Sequence, residues 1–222
     1  MEQRNIRPPR RSDARGLRRD VLAARLGTGA EARPAGRRGD AAASDDREPS
    51  PGSFPPAPLV RAAVLVPLVD RPDGLTVMLT QRTAHLAHHP GQISFPGGRL
   101  EAADISPEDG ALRETFEEIG LEPRHVEILG RLDTYVTRTG FEVTPVVGVV
   151  TPPFTLTLDT FEVADVFEAP LAFVLDPASR QVGMNRINGI ARRFHAIPYG
   201  NRYIWGATAG MLINLADILA EP

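Results

Sequence analysis

The chain has 222 residues, of which 42% are hydrophobic, and a formal net charge of -3. This length and composition suit one globular domain, and the weak negative charge does not favour a nucleic-acid partner. The sequence contains no cysteine, which excludes disulfides, thiolate metal sites and cysteine nucleophiles. It also has no run of eighteen apolar residues and no apolar stretch typical of a secretory signal, so we predict a soluble, cytoplasmic protein without a membrane partner.

Residues 1–57 differ in composition from the rest of the chain. They are rich in Arg, Ala, Gly, Ser, Asp and Pro and poor in aromatic and β-branched residues, so we predict that they are largely disordered. Within them, a short helix at residues 13–26 is suggested by apolar residues at helical spacing, namely Leu17, Val21, Leu22 and Leu26. An arginine-rich start also occurs in organelle transit peptides, but the acidic residues among the arginines argue against one here. The globular domain is expected to span residues 58–222.

From Val60 onward, short β-prone runs alternate with turn-forming residues. RAAVLVPLVD and LTVMLTQR, separated by RPDG, predict a β-hairpin. An amphipathic helix is predicted to close the chain, and further strands are predicted within residues 126–137, 141–150, 161–176 and 192–206. Strands and helices in this irregular alternation favour an α+β fold or a sandwich built on a mixed sheet.

The segment SPEDGALRETFEEIG has the features of a helix with defined ends. Ser106 before a proline predicts its start, and Gly120 predicts its end. Glu114, Glu117 and Glu118 stand at positions i, i+3 and i+4, so they share one helical face, where like charges repel. Two interpretations are open: a solvated acidic surface, which is the commoner case for charged residues, or a site for a hard divalent cation, which takes carboxylate oxygens.

The wider segment GGRLEAADISPEDGALRETFEEIGL resembles the Nudix box, GX5EX7REUXEEXGU, in which U is a bulky apolar residue. The residues that match it are Gly98, Arg113, Glu114, Glu117, Glu118, Gly120 and Leu121. The sequence departs from the pattern in three ways. The interval from the first glycine to the arginine is one residue longer, Asp104 replaces the intermediate glutamate, and Thr115 stands where an apolar residue is usual.

The resemblance implies an α/β/α sandwich with a mixed β-sheet and a metal-dependent hydrolase of diphosphates. It implies that Glu114 and Glu118 bind Mg²⁺ or Mn²⁺, that Gly98 belongs to the metal site, and that Glu117 is a further ligand or positions water. The chemistry agrees with this interpretation, because cations neutralise the oxygens of a diphosphate and lower the pKa of an attacking water. A Gly-Gly turn before the helix also lets backbone groups approach such ions closely.

Upstream of the box, MLTQRTAHLAHHPGQISFPGG is similar to an additional motif of the coenzyme A pyrophosphatase family, LLTxRSxxLRxHxGQxxFPGG. Thr83 replaces serine, and Ala87 stands where arginine is common. The resemblance implies that the substrate is coenzyme A or a derivative, and it indicates substrate-binding residues at Arg82, His89, Gln92, Phe95 and Gly97.

Taken without the resemblance, Arg82 and the pair His88 and His89 could clamp a phosphate. The alternative is a turn in which His89 only satisfies loop carbonyl groups.

The candidate catalytic residues are Glu117, Glu162 and Arg113. Glu162 lies in the region where Nudix hydrolases commonly place a late acidic loop residue near the metals, so it is a candidate for orienting the water, with Glu117 as its competitor. An exposed charge without chemistry is the alternative for Glu162. Arg113 is expected to act more as a counter-charge to Glu101 or Asp104 than as a substrate ligand.

The expected activity is hydrolysis of coenzyme A or a derivative to adenosine 3',5'-bisphosphate and 4'-phosphopantetheine or its acyl form. A pyrophosphatase acting on ADP-ribose or another nucleoside diphosphate derivative is the alternative. Isopentenyl diphosphate isomerases share the fold but use a catalytic cysteine, which this chain lacks. A non-catalytic module of the same fold has normally lost some box carboxylates, whereas all three helix glutamates remain here. The sequence leaves the oligomeric state open, a homodimer included.

Overall fold

The computed structural model describes residues 19–26, 37–39, 58–86, 89–137, 139–187 and 190–220. Its helices are α1 (Arg19–Leu26), α2 (Pro107–Ile119), α3 (Leu171–Leu175) and α4 (Ala207–Ala220), with short 3₁₀ turns at Pro123–His125 and Pro177–Ser179. Its strands are β1 (Arg37–Gly39), β2 (Val60–Arg71), β3 (Gly74–Arg82), β4 (Ile93–Ser94), β5 (Gly97–Arg99), β6 (Val126–Arg131), β7 (Thr134–Val136), β8 (Phe141–Val150), β9 (Val163–Pro170), β10 (Gln181–Ile187), β11 (Ile190–Tyr199) and β12 (Arg202–Trp205). None of these helices is long and apolar enough to cross a membrane.

Nine of the described strands form one mixed sheet. Its path runs β1-β7-β8-β2-β3-β4, while β5, β6 and β9 pair with β2, β8 and β3 respectively. The central strand β2 runs parallel to β8, from Val60 opposite Phe141 to Val69 opposite Val150. It also runs antiparallel to β3 and β5. The pairing of β2 with β3 confirms the hairpin that the sequence predicts.

Helices cover both faces of this sheet. The long apolar run of β2 is buried on both sides, as expected for a strand at the centre of a layered fold. On one face, Leu65 and Val69 pack with Ile119 of α2. On the opposite face, Val66 packs in a cluster that includes Leu212 of α4. The structure is therefore an α+β fold, an α/β/α sandwich around a mixed sheet, and it confirms the predicted architecture.

Helix α2 begins and ends where the sequence predicts. The Ser106 hydroxyl accepts a hydrogen bond from the backbone N–H of Asp109 at 3.2 Å, which satisfies one of the free donors of the first turn. Gly120 ends the helix with φ of 69°, a left-handed conformation that glycine adopts without strain. The buried residues of α2 include Ala111, Thr115, Glu118 and Ile119. The helix therefore carries one of its glutamates on the face that packs against the sheet.

Two stretches differ from the sequence prediction. The strand predicted within residues 161–176 is split into β9 and α3, with Leu171 and Val174 of α3 buried. Residues 169–175 are apolar throughout, so they have no periodicity that separates a strand from a short helix. In addition, β10 pairs with β11, and β11 with β12, in a second antiparallel sheet. The sequence did not predict β10, because QVGMNRI combines a glycine with polar residues in no clear alternation.

Helix α1 and strand β1 lie within the segment that the sequence predicts to be largely disordered. Leu22 and Leu26 of α1 are buried in the cluster on the α4 side of the sheet, and Arg19 forms an ion pair with Glu127 of β6. Strand β1 runs parallel to β7. For the rest of residues 1–57, the prediction of disorder lies outside the described residues.

Candidate active site

Glu118 is the most buried carboxylate of the predicted site, and it lies where α2 meets β5. The residue is 8% exposed, and its Oε2 accepts a hydrogen bond from the backbone N–H of Gly97 at 3.1 Å. Burial raises the pKa of Glu118 to about 8; Gly97 and Arg82 lower this pKa, while Glu162 and Glu114 raise it. Burial therefore disfavours the ionised form of Glu118 more than Gly97 and Arg82 stabilise it.

Glu114 lies against the bare backbone of Gly98. A Cβ atom on Gly98 would lie 2.5 Å from Oε2 of Glu114, so a glycine is needed to leave room for this carboxylate. The pKa of Glu114 is raised: burial raises it, Arg113 lowers it, and Glu117 and Glu162 raise it again. Glu114 and Glu118 are thus two partly or fully buried carboxylates with raised pKa values beside the same Gly-Gly turn.

Arg113 is held by carboxylates on several sides. Its Nε and Nη2 donate to the two carboxylate oxygens of Asp104 at 3.1 and 3.0 Å. Its Nη1 donates to Glu114 at 3.0 Å and to Glu117 at 3.2 Å, whereas Glu101 is 3.9 Å away. The predicted counter-charge role of Arg113 is thus realised mainly with Asp104. Glu117, with a side chain that is 57% exposed, is engaged by Arg113 in this structure.

The loop between β5 and α2 is closed around the same ion pair. Asp104 Oδ2 also accepts the backbone N–H of Glu101 at 2.7 Å, and Nη2 of Arg113 donates to the carbonyl oxygen of Arg99 at 3.0 Å. A Cβ atom on Gly110 would lie 3.0 Å from Oδ2 of Asp104. Asp104, which replaces the glutamate of the Nudix pattern, therefore serves to fix this lengthened loop on α2.

The opposite side of the site is formed by the end of β3 and the loop before β9. Arg82 Nη2 lies 3.9 Å from Oε2 of Glu162, and both side chains affect the pKa of Glu118. Thr83 holds the loop in place. Its N–H donates to the carbonyl oxygen of Glu162 at 2.9 Å, and its hydroxyl donates to the carbonyl oxygen of Phe161 at 2.8 Å. The structure therefore brings Arg82 and Glu162 together with the glutamates of α2.

The other predicted substrate-binding residues have different environments. His89 is exposed with φ of 54°, and its carbonyl oxygen accepts the N–H of Gln92 at 3.2 Å in a turn. The carbonyl oxygen of Gln92 accepts the N–H of Arg82 at 2.9 Å, and Gly97 donates to Glu118 as described above. Phe95 is 3% exposed and packs in the core. The two remaining positions named from the motif, Ala87 and His88, lie outside the described residues.

The side chains of this site fit a hard divalent cation. Glu114, Glu118 and Glu162 offer carboxylate oxygens, the donors that Mg²⁺ and Mn²⁺ prefer. Burial and neighbouring carboxylates raise the pKa values of Glu114 and Glu118, and a bound cation would favour their ionised forms. Among the described residues, no group of three or more acidic or histidine side chains is arranged to hold a metal ion by itself. This arrangement suits Mg²⁺, which usually keeps several waters and substrate phosphates as ligands.

Thr83 and Phe161 are residues of the site that the sequence analysis did not assign. Thr83 lies within the upstream motif, but no spacing rule connects it with a loop almost eighty positions away. The contact arises because β9 pairs with β3, with Arg82 opposite Val163. Only knowledge of that strand pairing could have placed Phe161 and Glu162 beside the motif.

Two solved structures are similar to part of this chain. The Ap4A hydrolase of C. elegans, in a binary complex, gives a TM-score of 0.43 at 20% identity, over 51% of this chain and 81% of that one. The NUDIX domain of Shewanella oneidensis NrtR, complexed with ADP ribose, gives a TM-score of 0.41 at 24% identity, over 57% of this chain and 80% of that one.

Sequence relatives are more similar and cover more of the chain. A Yersinia enterocolitica protein named "Uncharacterized Nudix hydrolase NudL" is 40% identical over 172 residues, which are 77% of this chain and 87% of the relative. The protein of that name in Escherichia coli is 41% identical over 157 residues, which are 70% of this chain and 81% of the relative. Residues 59–170 match the family model described as NUDIX domain. The chain therefore belongs to the Nudix hydrolases, a family that acts on diphosphate bonds and generally uses divalent metal ions.

Proposed function

We propose that this Nudix hydrolase cleaves the diphosphate bond of coenzyme A and its derivatives. The products would be adenosine 3',5'-bisphosphate and 4'-phosphopantetheine, or the acyl form of the latter. The observation that carries the proposal is the motif over residues 78–98, which resembles that of coenzyme A pyrophosphatases. Two of its residues support a role at the diphosphate, because Arg82 lies beside Glu162 and Gly97 donates to Glu118.

Glu114 and Glu118 are the proposed metal ligands, with Glu117 as a further ligand and Gly98 as the close backbone neighbour. Mg²⁺ or Mn²⁺ bound there supplies positive charge to the diphosphate oxygens and lowers the pKa of the attacking water. Glu118 is pre-oriented for this role by its hydrogen bond from Gly97. Its burial limits competing contacts with solvent.

Glu162 is the proposed general base. It would accept the proton of the water as the new phosphorus–oxygen bond forms and the bridging phosphorus–oxygen bond breaks. Arg82, whose charge is permanent, lies 3.9 Å from Glu162 and is positioned to bind an oxygen of the diphosphate. Glu117 is the alternative base, but its Oε2 already accepts a hydrogen bond from Arg113, so this oxygen is occupied.

The test is a product analysis by chromatography. The purified full-length protein is incubated with coenzyme A, ADP-ribose or NADH, each with Mg²⁺, Mn²⁺ or EDTA. Glu118→Gln is compared with Glu122→Gln, which makes the same chemical change in an exposed ion pair with Arg124 outside the site. Because a metal contributes several kcal/mol to such reactions, we expect Glu118→Gln to lose roughly 100-fold or more of the activity.

Metal-dependent release of adenosine 3',5'-bisphosphate from coenzyme A by the wild type and by Glu122→Gln is the expected result. Cleavage of ADP-ribose with no cleavage of coenzyme A would contradict the proposed substrate and leave the hydrolase site intact. Equal activity of Glu118→Gln and Glu122→Gln would contradict the proposed metal ligand.

A further inference from the structure

Phe161 presents an aromatic ring to solvent directly beside the proposed base Glu162. The residue is 64% exposed, although burying a phenylalanine side chain is normally favourable. Three other aromatic residues are prominently exposed in the described part of the chain, namely Phe116 on α2 and Tyr203 and Trp205 on β12. Among these four, Phe161 is the one in the turn that carries the proposed base Glu162.

The backbone beneath this exposed ring is fixed. The N–H of Phe161 donates to Oδ1 of Asp159 at 2.9 Å, and its carbonyl oxygen accepts the hydroxyl of Thr83 at 2.8 Å. Thr83 is itself 6% exposed and donates its N–H to the carbonyl oxygen of Glu162 at 2.9 Å. The exposure of Phe161 is thus a property of a well-bonded turn. A ring held in this way binds a ligand with little additional ordering cost.

His85 adds a second ring beside Phe161. The ring centroids are 4.9 Å apart and the ring planes are inclined at 57°, and Nε2 of His85 lies 3.5 Å from the Thr83 hydroxyl. The two rings form an open corner, with an apolar face on Phe161 and polar ring nitrogens on His85. Such a corner offers a flat heteroaromatic ligand both a stacking surface and hydrogen-bonding groups at its edge.

We propose that Phe161 and His85 form the platform on which the adenine ring of the substrate stacks. The proposal rests on the proposed function in one respect: it takes the substrate to be an adenine-containing nucleoside diphosphate derivative. The platform adjoins the proposed diphosphate site, because Thr83, which follows Arg82, donates hydrogen bonds to the carbonyl oxygens of both Phe161 and Glu162. Aromatic side chains bind bases by stacking on their π faces, whereas the pantetheine arm has no ring that could stack.

The experiment measures the binding of each half of the substrate separately. Dissociation constants of adenosine 3',5'-bisphosphate, AMP and 4'-phosphopantetheine are determined by calorimetry in the presence of Mg²⁺. The full-length wild type is compared with Phe161→Leu, which removes the aromatic face, and with Phe161→Tyr, which keeps it. The matched control is Tyr203→Leu, which removes a 45% exposed aromatic ring from β12.

Phe161→Leu is expected to raise the dissociation constants of both adenine nucleotides about 5- to 150-fold, the range for loss of one stacked base. The dissociation constant of 4'-phosphopantetheine is expected to stay within twofold of the wild-type value. Phe161→Tyr and Tyr203→Leu are expected to stay within twofold for all three ligands. The proposal is overturned by unchanged nucleotide binding in Phe161→Leu, by equal weakening of all three ligands, or by a wild type that binds no adenine nucleotide.

Activity on coenzyme A is assayed in parallel and separates this proposal from the proposed function. If ADP-ribose is cleaved and coenzyme A is not, the substrate assignment fails. Selectively weaker binding of AMP to Phe161→Leu would still support the platform. If coenzyme A is cleaved and Phe161→Leu binds adenosine 3',5'-bisphosphate as the wild type does, the platform fails and the substrate assignment stands.

Discussion

Glu118 is 8% exposed, and burial raises its pKa to about 8, so ionising it in the absence of metal costs the folded protein free energy. The unfolded chain has the ordinary glutamate pKa of 4.5. The stability associated with neutral Glu118 is therefore fully present below pH 4.5 and is lost as pH rises through about 8. We expect Glu118→Gln, which cannot ionise, to unfold at higher denaturant concentration than the wild type at pH 8.5 in EDTA, by roughly 2–4 kcal/mol.

Urea titrations at pH 5 and pH 8.5 measure this effect. The advantage of Glu118→Gln is expected to be much smaller at pH 5, where the wild-type carboxyl is already mostly neutral in the folded protein. Millimolar Mg²⁺ is expected to reverse the order of stability at pH 8.5, since the wild type offers the ion one more carboxylate than Glu118→Gln does. A wild type that is more stable than Glu118→Gln in EDTA at pH 8.5 would contradict this account of the site.

The choice between Glu162 and Glu117 as general base can be tested by neutralising each in turn. Arg82 lies 3.9 Å from Glu162, whereas Glu117 accepts a hydrogen bond from Arg113 at 3.2 Å. We expect Glu162→Gln to lower kcat about 100-fold or more with little change in KM, since positioned general bases contribute roughly 10²–10⁴-fold. Glu117→Gln is expected to lower kcat less and to raise the metal concentration needed for half-maximal rate.

Steady-state rates over a range of Mg²⁺ concentrations distinguish the two variants. The assignment of Glu162 as general base fails if Glu162→Gln retains most of the wild-type kcat while Glu117→Gln loses most of it.

At the residue scale, helical spacing was sufficient to group Glu114, Glu117 and Glu118 on one face. It could not distinguish their environments, because burial depends on what packs against the helix. Glu118 is 8% exposed as a residue, while the Glu117 side chain is 57% exposed. The partnership of Arg82 with Glu162 was likewise beyond the sequence, since it depends on a strand pairing between residues that are far apart in the chain.

At the scale of elements, Gly97 and Gly98 begin strand β5, which residues 100–106 join to helix α2, and the two glycines have different tasks. A Cβ atom on Gly98 would lie 2.5 Å from the end of the flexible Glu114 side chain, which can move aside. A Cβ atom on Gly97 would lie 2.4 Å from the backbone oxygen of Ala63, and φ at this position is 143°, so the backbone itself would have to shift.

These contacts predict opposite phenotypes for two adjacent substitutions. Gly98→Ala is expected to fold with a melting temperature near that of the wild type but to lose about 10- to 100-fold in activity or metal affinity, the usual cost of displacing support for a ligand. Gly97→Ala is expected to lose several kcal/mol of stability. Thermal unfolding and Mg²⁺-dependent rates measured on both variants check this, and a strongly destabilised Gly98→Ala with a wild-type-like Gly97→Ala would contradict it.

Elements with local signals were predictable from the sequence, and elements without them were not. RPDG between two β-prone runs was sufficient for the β2–β3 hairpin, and Ser106 and Gly120 were sufficient for the ends of α2. The run that became β9 and α3 is apolar from Ala169 to Leu175, so periodicity does not mark its change from strand to helix, and Pro170 at the junction is its one local signal. Its helical part is specified by the burial of Leu171 and Val174 in the core.

At the scale of the whole molecule, the order of strands in the mixed sheet depends on contacts between distant segments. Arg71 at the end of β2, Thr76 on β3 and Glu168 on β9 meet in one such contact. Arg71 donates to Glu168 at 3.1 and 2.6 Å, and the Thr76 hydroxyl donates to it at 2.5 Å. No local sequence pattern indicates this cluster, since it requires β3 to lie between β2 and β9.

The cluster predicts a pH dependence opposite in sign to that of Glu118. Hydrogen bonds from Arg71 hold the pKa of Glu168 below its ordinary value of 4.5, against the effect of burial. The stability that Glu168 contributes is thus present above pH 4.5 and is lost as pH falls through its lower pKa in the folded protein. Glu168→Gln is expected to lower the free energy of unfolding by roughly 1–2 kcal/mol at pH 7 and by progressively less as the pH is lowered towards 3.

Urea titrations across that pH range measure the difference. The matched control is Glu122→Gln, which alters an exposed ion pair that contributes little to stability. A deficit of Glu168→Gln that grows as the pH falls would show that Arg71 does not stabilise the charged form of Glu168 in the folded protein.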